Sequence, residues 1–327
     1  MSAALRAFLA GLVDYAGLFP PARLALDDAL AEYDRHRDSG RAWALGPFIL
    51  PATDLGLLAE KTTAAYRQYA PMPTAVLGGG GDDAAGILRA LHEDFLAADL
   101  LLQESDGGAE ATGFERRVPL AVAADRAVAE DLAAVAEEHR PRTIGRCFFE
   151  VVRPTDPEQD TAWRRAVDAA LDAWEGHDAV GFKLRCGGLT PADVPALEQV
   201  AFVLDAARQA RVPTKATAGL HHPLRGMDHT GQGDAAVPMH GFLNVFGAGV
   251  LGHAHGLRAA DLLPILETRD PSAFSFDDEG FGWRDLRATT EQVERARGEA
   301  VVSYGSCSFA EPIEDLEALG FLAREEA

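Results

Sequence analysis

Two lysines close short apolar runs: Lys183 ends VGFK and Lys215 ends VPTK, with one helical segment between them. In a parallel strand–helix–strand unit these positions correspond, so both amines are expected near the same edge of adjacent strands. Two ammonium groups held close together in a partly dry site disfavour the charged form of one of them. Its pKa falls, and the free amine becomes a nucleophile near neutral pH, which is what Schiff-base chemistry requires. The plainer reading is that both lysines neutralise a phosphate or carboxylate, or that one is a surface lysine beside a barrel mouth.

Other polar groups fall at matching places. In FERRVPL the two-residue period puts Glu115 and Arg117 on one face and Arg116 on the other. Glu150 ends the apolar run CFFE, where a carboxylate is costly unless paired or functional. It is expected beside Lys183, either as an ion-pair partner or as a general acid/base. Arg185 shares a face with Lys183, and Thr217 shares one with Lys215. Asp14 stands in the apolar setting VDYAGLF, where it either caps a loop or takes part in the site.

Histidines crowd the segment from Gly219 to Gly256: His221, His222, His229, His240, His253 and His255. None fits HExxH, and His253 and His255 lie two apart in a segment that reads as helix, so they face different ways. Acid/base or substrate hydrogen-bonding roles for His221, His222 and His240 suit the sequence better than metal ligation. His253 and His255 also suit the last turn of a helix that ends at Gly256. The run Gly78 to Gly81 before Asp82 lacks the Lys and Ser/Thr of a phosphate loop. The turn at Gly305, Ser306, Cys307 and Ser308 could hold a phosphate or could simply be tight packing.

The elements that must position these groups alternate along the chain. Apolar or β-branched runs at 12–18, 43–50, 74–77, 114–120, 144–152, 180–184, 213–217 and 273–276 are separated by amphipathic Ala-rich segments. Asp27, Asp54, Asp82 and Thr190 are expected helix caps. Eight strands and eight helices in a chain of this length predict an α/β fold, a (β/α)8 TIM barrel, with its site at the C-terminal strand ends. A doubly wound sheet is the runner-up, and the chain carries no GxGxxG after a strand to support it. One domain over 1–327 is expected, with a lid loop over 225–237, a stretch without periodicity.

Net charge −21 and a pI near 4.8 argue against nucleic acid or an anionic membrane as partner. Cys147, Cys186 and Cys307 are isolated, which predicts a reducing compartment without disulfides. The absence of a long apolar run or a signal-like start adds to the expectation of a cytoplasmic protein, and a homo-oligomer is compatible with all of this.

The lysine unit, KLRCGGLTPADV followed by KATAGL, resembles the deoxyribose-phosphate aldolase family. That family carries a Schiff-base lysine in a Lys-Thr-Ser-Thr-Gly run and a second lysine in a Lys-Ala-Ser-Gly-Gly run. The resemblance implies that Lys183 forms the imine and Lys215 lowers its pKa, with no cofactor. Here Leu184, Arg185 and Cys186 replace the small hydroxyl residues, and His221, His222 and Pro223 replace the start of the family's phosphate loop. The family's acid/base Asp has no direct counterpart, so Glu115 or Glu150 is its substitute. DYAGLFPPA, KATAGLHHP and HGFLNV also resemble a bacterial TIM-barrel-like family, which implies the barrel but no activity.

The expected function is a class I aldolase-like carbon–carbon lyase acting on a small anionic metabolite. Lys183, Lys215, Glu150 and Glu115 would be catalytic, and Arg185, His221, His222, His240 and Asp14 would bind substrate. The alternatives are a metal-dependent hydrolase or isomerase using His221, His222 and His240, and a non-catalytic anion-binding barrel.

Overall fold

The computed structural model describes residues 1–63, 70–79, 81–139, 145–188, 190–228 and 236–324. Its parallel strands are β1 (Val13–Tyr15), β2 (Leu45–Pro51), β3 (Met72–Leu77), β4 (Ala109–Val118), β5 (Cys147–Val151), β6 (Val180–Arg185), β7 (Thr214–Thr217) and β8 (Val301–Ser306). They form a closed barrel in the order β1-β8-β7-β6-β5-β4-β3-β2, the (β/α)8 arrangement. Among the described residues no helix is long and apolar enough to cross a membrane.

The eighth barrel strand is not the run expected at 273–276. Phe274–Phe276 instead starts a three-stranded antiparallel sheet with Gly280–Trp283 and Leu286–Thr289. The acidic triplet Asp277, Asp278, Glu279 lies between the first two of these strands. Asp277 Oδ1 accepts the Glu279 and Gly280 amides, which makes the triplet a turn rather than a site. Val301–Ser306 reads VVSYGS, with two serines and a glycine, and so lacks the continuous apolar signature of a buried strand.

Two compact units make up the chain: Met1–Gly46 with Leu184–Ala327, and Pro47–Lys183. In the second, Phe149 of β5 and Phe182 of β6 pack against Trp174 of the helix Asp160–Trp174. The two-residue period therefore turns Glu150 and Lys183 to the face away from that helix. On β4 the same alternation sends Phe114 onto Phe95 and Arg116 onto Asp94, both of the helix Ala84–Glu104, and turns Glu115 and Arg117 the other way.

In the first unit the helix Phe242–His255 is buried along most of its length, as its nearly unbroken apolar sequence requires. A Cβ on Gly249 would come within 2.4 Å of Val301, so glycine lets this helix press onto β8. The helix ends at Gly256 with φ +65°, and His253 and His255 lie in its last turn, as expected.

Helix starts differ in detail from the expected caps. Asp83, not Asp82, caps Ala84–Glu104 by accepting the Gly86 amide. Ala25 precedes Leu26–Arg37, with Asp27 inside the first turn, and Asp54 stands before Leu55–Thr62 without a side-chain cap bond. Thr190 boxes with Asp193 over the short turn Pro191–Asp193, and the helix proper begins at Leu197. Of the expected lid at 225–237, Gly226–Asp228 pairs antiparallel with Val237–Met239, while 229–235, including His229, lie outside the described residues.

Candidate active site

Lys183 is buried in β6, and its Nζ lies 2.7 Å from Glu115 Oε2 and 3.9 Å from Glu150 Oε2. The register brings them together, because Glu115 is opposite Phe148, Arg117 is opposite Glu150, and Phe149 is opposite Phe182. Both carboxylates are as buried as the lysine, while Arg117, 60 % exposed, reaches Glu150 at 3.5 Å from the solvent side. A lysine thus sits between two acids, one of them held from behind by a guanidinium.

In the other unit, Lys215 Nζ lies 2.5 Å from Asp14 Oδ2, with both groups buried. Ser303 of β8 donates its hydroxyl to the same oxygen at 2.8 Å. Tyr15 points the opposite way from Asp14 and donates its hydroxyl to Glu32 at 2.6 Å, in the helix Leu26–Arg37. Burial and the Glu32 carboxylate both raise the Tyr15 pKa, so it stays a neutral donor. Gly46 makes room for the acid, since a Cβ there would stand 2.0 Å from Asp14 Oδ1.

Each ammonium therefore has a carboxylate counter-ion within its own unit. The sequence had singled out Lys183, Lys215, Glu115, Glu150 and Asp14, but it did not assign Asp14 to Lys215. Nor did it give Ser303 or Arg117 a role at the site. The signal that was available is the repeated charge on the inward period of apolar strands; the pairing needed the register.

The histidines separate. His221 Nδ1 is 3.3 Å from Glu311 Oε2 and 4.0 Å from Cys307 Sγ. Burial alone would lower its pKa, but the hydrogen bonds to Cys307 and Glu311 override this and hold the imidazolium up to about 10. His222 Nδ1 is 2.6 Å from Asp315 Oδ2. His240 is buried between the Pro195 carbonyl at 2.9 Å and Arg225 at 3.4 Å. Its pKa falls to about 4, first through burial and then through Arg225, with the carbonyl bond opposing both, so the ring is neutral at pH 7. The three rings thus have separate protein partners, and none belongs to the one group of possible metal ligands found among the described residues. Arg185 stands half-buried at the end of β6, two residues beyond Lys183.

Several motifs prove to be scaffold. In HGFLNV, Asn244 accepts the Arg225 amide at 2.8 Å and donates to the carbonyls of Ile265 and Thr268, each at 2.8 Å. The glycines after β6 and β7 serve close approach, for a Cβ on Gly187 would meet the Gly219 Cα at 2.7 Å. Gly78 and Gly79 surround the Arg116 guanidinium: a Cβ on Gly78 would meet its Nη1 at 2.9 Å, and the Gly79 carbonyl accepts its hydrogen bond. At Gly78 and Gly79 the backbone thus faces a cation of the protein's own. At the Ser/Gly turn, Ser306 accepts the Ser308 amide and Ser308 accepts the Glu311 amide, which starts the helix Ala310–Ala318.

No protein-family model matches the chain, and no curated protein matches it. Fold and side chains alone therefore define the class: a closed parallel (β/α)8 barrel with two buried lysine–carboxylate clusters on its strands.

Proposed function

We propose that this barrel is a class I aldolase-like carbon–carbon lyase in which Lys183 forms an imine with a small anionic carbonyl compound. The observation that carries this reading is the buried Lys183 amine, flanked by Glu115 at 2.7 Å and Glu150 at 3.9 Å. A buried ion pair adds little stability over apolar residues of the same volume, so three such groups on adjoining strands suit chemistry better than folding. Arg117, mostly exposed beside Glu150, supplies positive charge for an anionic substrate, with Arg185 at the end of β6 as a second cation.

In this reading Glu115 takes the ammonium proton, and the neutral Lys183 amine attacks the substrate carbonyl carbon. The carbonyl oxygen collects that proton to give a carbinolamine. Glu150, a carboxylate at the start, takes the surplus proton from the carbinolamine nitrogen and passes it to the hydroxyl, which leaves as water, so that an iminium faces the Glu115 carboxylate. Glu150, again a carboxylate, removes the proton of the β-hydroxyl. The carbon–carbon bond breaks toward the iminium, giving an aldehyde and an enamine. Glu150 then returns its proton to the enamine carbon, and water hydrolyses the new iminium to free the second product and Lys183. Lys215 is paired with Asp14 in its own unit and takes no step in this scheme.

Borohydride reduction in the presence of a panel of small keto and aldehyde acids, followed by peptide mass spectrometry, tests this. A reduced adduct on Lys183 that is lost in K183M is expected. A turned-over substrate with Lys183 unmodified would sink the proposal.

A further inference from the structure

One cluster in the unit Pro47–Lys183 takes no part in the chemistry above. His92 lies in the helix Ala84–Glu104, while Glu138 and His139 end the helix Arg126–His139. His92 Nδ1 is 3.1 Å from His139 Nε2, and one ligand atom from each of the three residues lies within 4.8 Å of the others. Two nitrogens bound to one tetrahedral zinc ion are separated by roughly 3.3 Å, as bond lengths of about 2.0–2.1 Å require. The imidazole pair already has the spacing of two ligands on one ion.

Packing fixes this arrangement. The buried His139 ring lies flat on Phe95, with centroids 4.7 Å apart and planes within 6°, and Phe95 in turn packs on Phe114 at 4.2 Å. The stack holds the plane and position of the His139 ring, with its Nε2 edge toward His92. Glu138 is exposed and brings a carboxylate from the solvent side, so water can complete the coordination. Both Glu138 and His139 occupy the last turn of their helix, where the backbone carbonyls and the negative end of the dipole favour a cation. A plain hydrogen bond between the two rings would account for the distance and is worth about 1 kcal/mol. It gives no place to Glu138.

We propose that His92, Glu138 and His139 form a site for a divalent cation of the zinc class, which ties the helices Ala84–Glu104 and Arg126–His139 together. This cluster shares no residue with the His221, His222 and His240 set.

The test uses the full chain, stripped with chelator and titrated with Co(II), followed by its visible d–d spectrum and by calorimetry. Wild-type protein is expected to give a stoichiometric site with intense tetrahedral-type bands. H92A and H139A should weaken binding at least 100-fold. E138Q alters only an exposed side chain and keeps the fold, and it should weaken binding about tenfold, in line with the loss of one contributing ligand. H255A, outside the cluster, should bind as wild type does. Added Zn(II) should raise the melting temperature of wild type but not of H92A. The proposal is overturned if wild type binds Co(II) no more tightly than H92A and E138Q, or if H255A loses as much affinity as they do.

Discussion

Lys183 Nζ and Glu115 Oε2 stand 2.7 Å apart with both side chains buried, and Glu150 Oε2 lies 3.9 Å from the same amine. Removing one member of a buried pair strands the other and costs about 3–5 kcal/mol. E115Q is therefore expected to lower the unfolding free energy, measured by urea titration, by an amount near the bottom of that range, because Glu150 retains part of the compensation. K183M/E115Q should recover most of the loss, since it strands nothing on that side. Strictly additive effects of the two substitutions would show that the groups are not coupled.

Gly46 offers a way to disturb Asp14 without changing any charge. A methyl there would have to occupy a point 2.0 Å from Asp14 Oδ1 and 3.3 Å from the Asp14 Cα. The carboxylate is short, buried and held by Lys215 and Ser303, so it has little freedom to yield. G46A should cost about 1–3 kcal/mol in unfolding free energy as overpacking. G46A combined with D14N/K215M should cost less than G46A alone, because the carboxylate–ammonium contact it would break is already gone. Equal costs in both backgrounds would place the strain elsewhere.

The barrel class and most of the charged site were legible in the sequence because both rest on short-range pattern. Alternation on β4, β5 and β6 puts Glu115, Glu150 and Lys183 on one side whatever the rest of the chain does. Partner choice was not legible. The tie between Asp14 and Lys215 joins β1 to β7 through β8, and the sequence gives no register for strands so far apart. The last barrel strand was missed for a related reason. Val301–Ser306 carries Ser303 and Ser306 where a buried strand would show apolar residues, and the aromatic run at Phe274–Phe276 has the stronger strand composition. The crowding of histidines misled for the opposite reason: closeness along the chain did not become closeness of imidazole nitrogens, and His221, His222 and His240 each met a different partner.

Two of those histidines should give stability opposite slopes with pH. His240 has a folded pKa of about 4, below its unfolded value of 6.5. Its contribution is present above pH 6.5 and is lost as pH falls toward 4, when the buried ring must charge beside Arg225. His221 has a folded pKa of about 10, above 6.5, so its contribution is present below pH 6.5 and is lost as pH rises toward 10. Melting temperatures measured from pH 4 to pH 10 should fall at both ends. H240Q should flatten the acid arm alone and H221Q the alkaline arm alone. If H221Q leaves the alkaline arm as steep as before, the Glu311 contact does not hold a charged ring.

Asn244 separates scaffold from chemistry within the HGFLNV motif. Its side chain is buried and satisfies three backbone groups, the Arg225 amide and the Ile265 and Thr268 carbonyls. N244A would leave all three without their partner, at about 1–3 kcal/mol for each buried group that water cannot reach. A total loss of about 2–4 kcal/mol is expected, since part of the segment relaxes toward solvent. N244D should be worse than N244A: a carboxylate can still accept the Arg225 amide, but it cannot donate to the two carbonyls, and it brings a buried charge. At low temperature, where the N244A fold survives, borohydride trapping at Lys183 should match wild type. A folded N244A protein that no longer traps substrate would instead put this asparagine in the reaction.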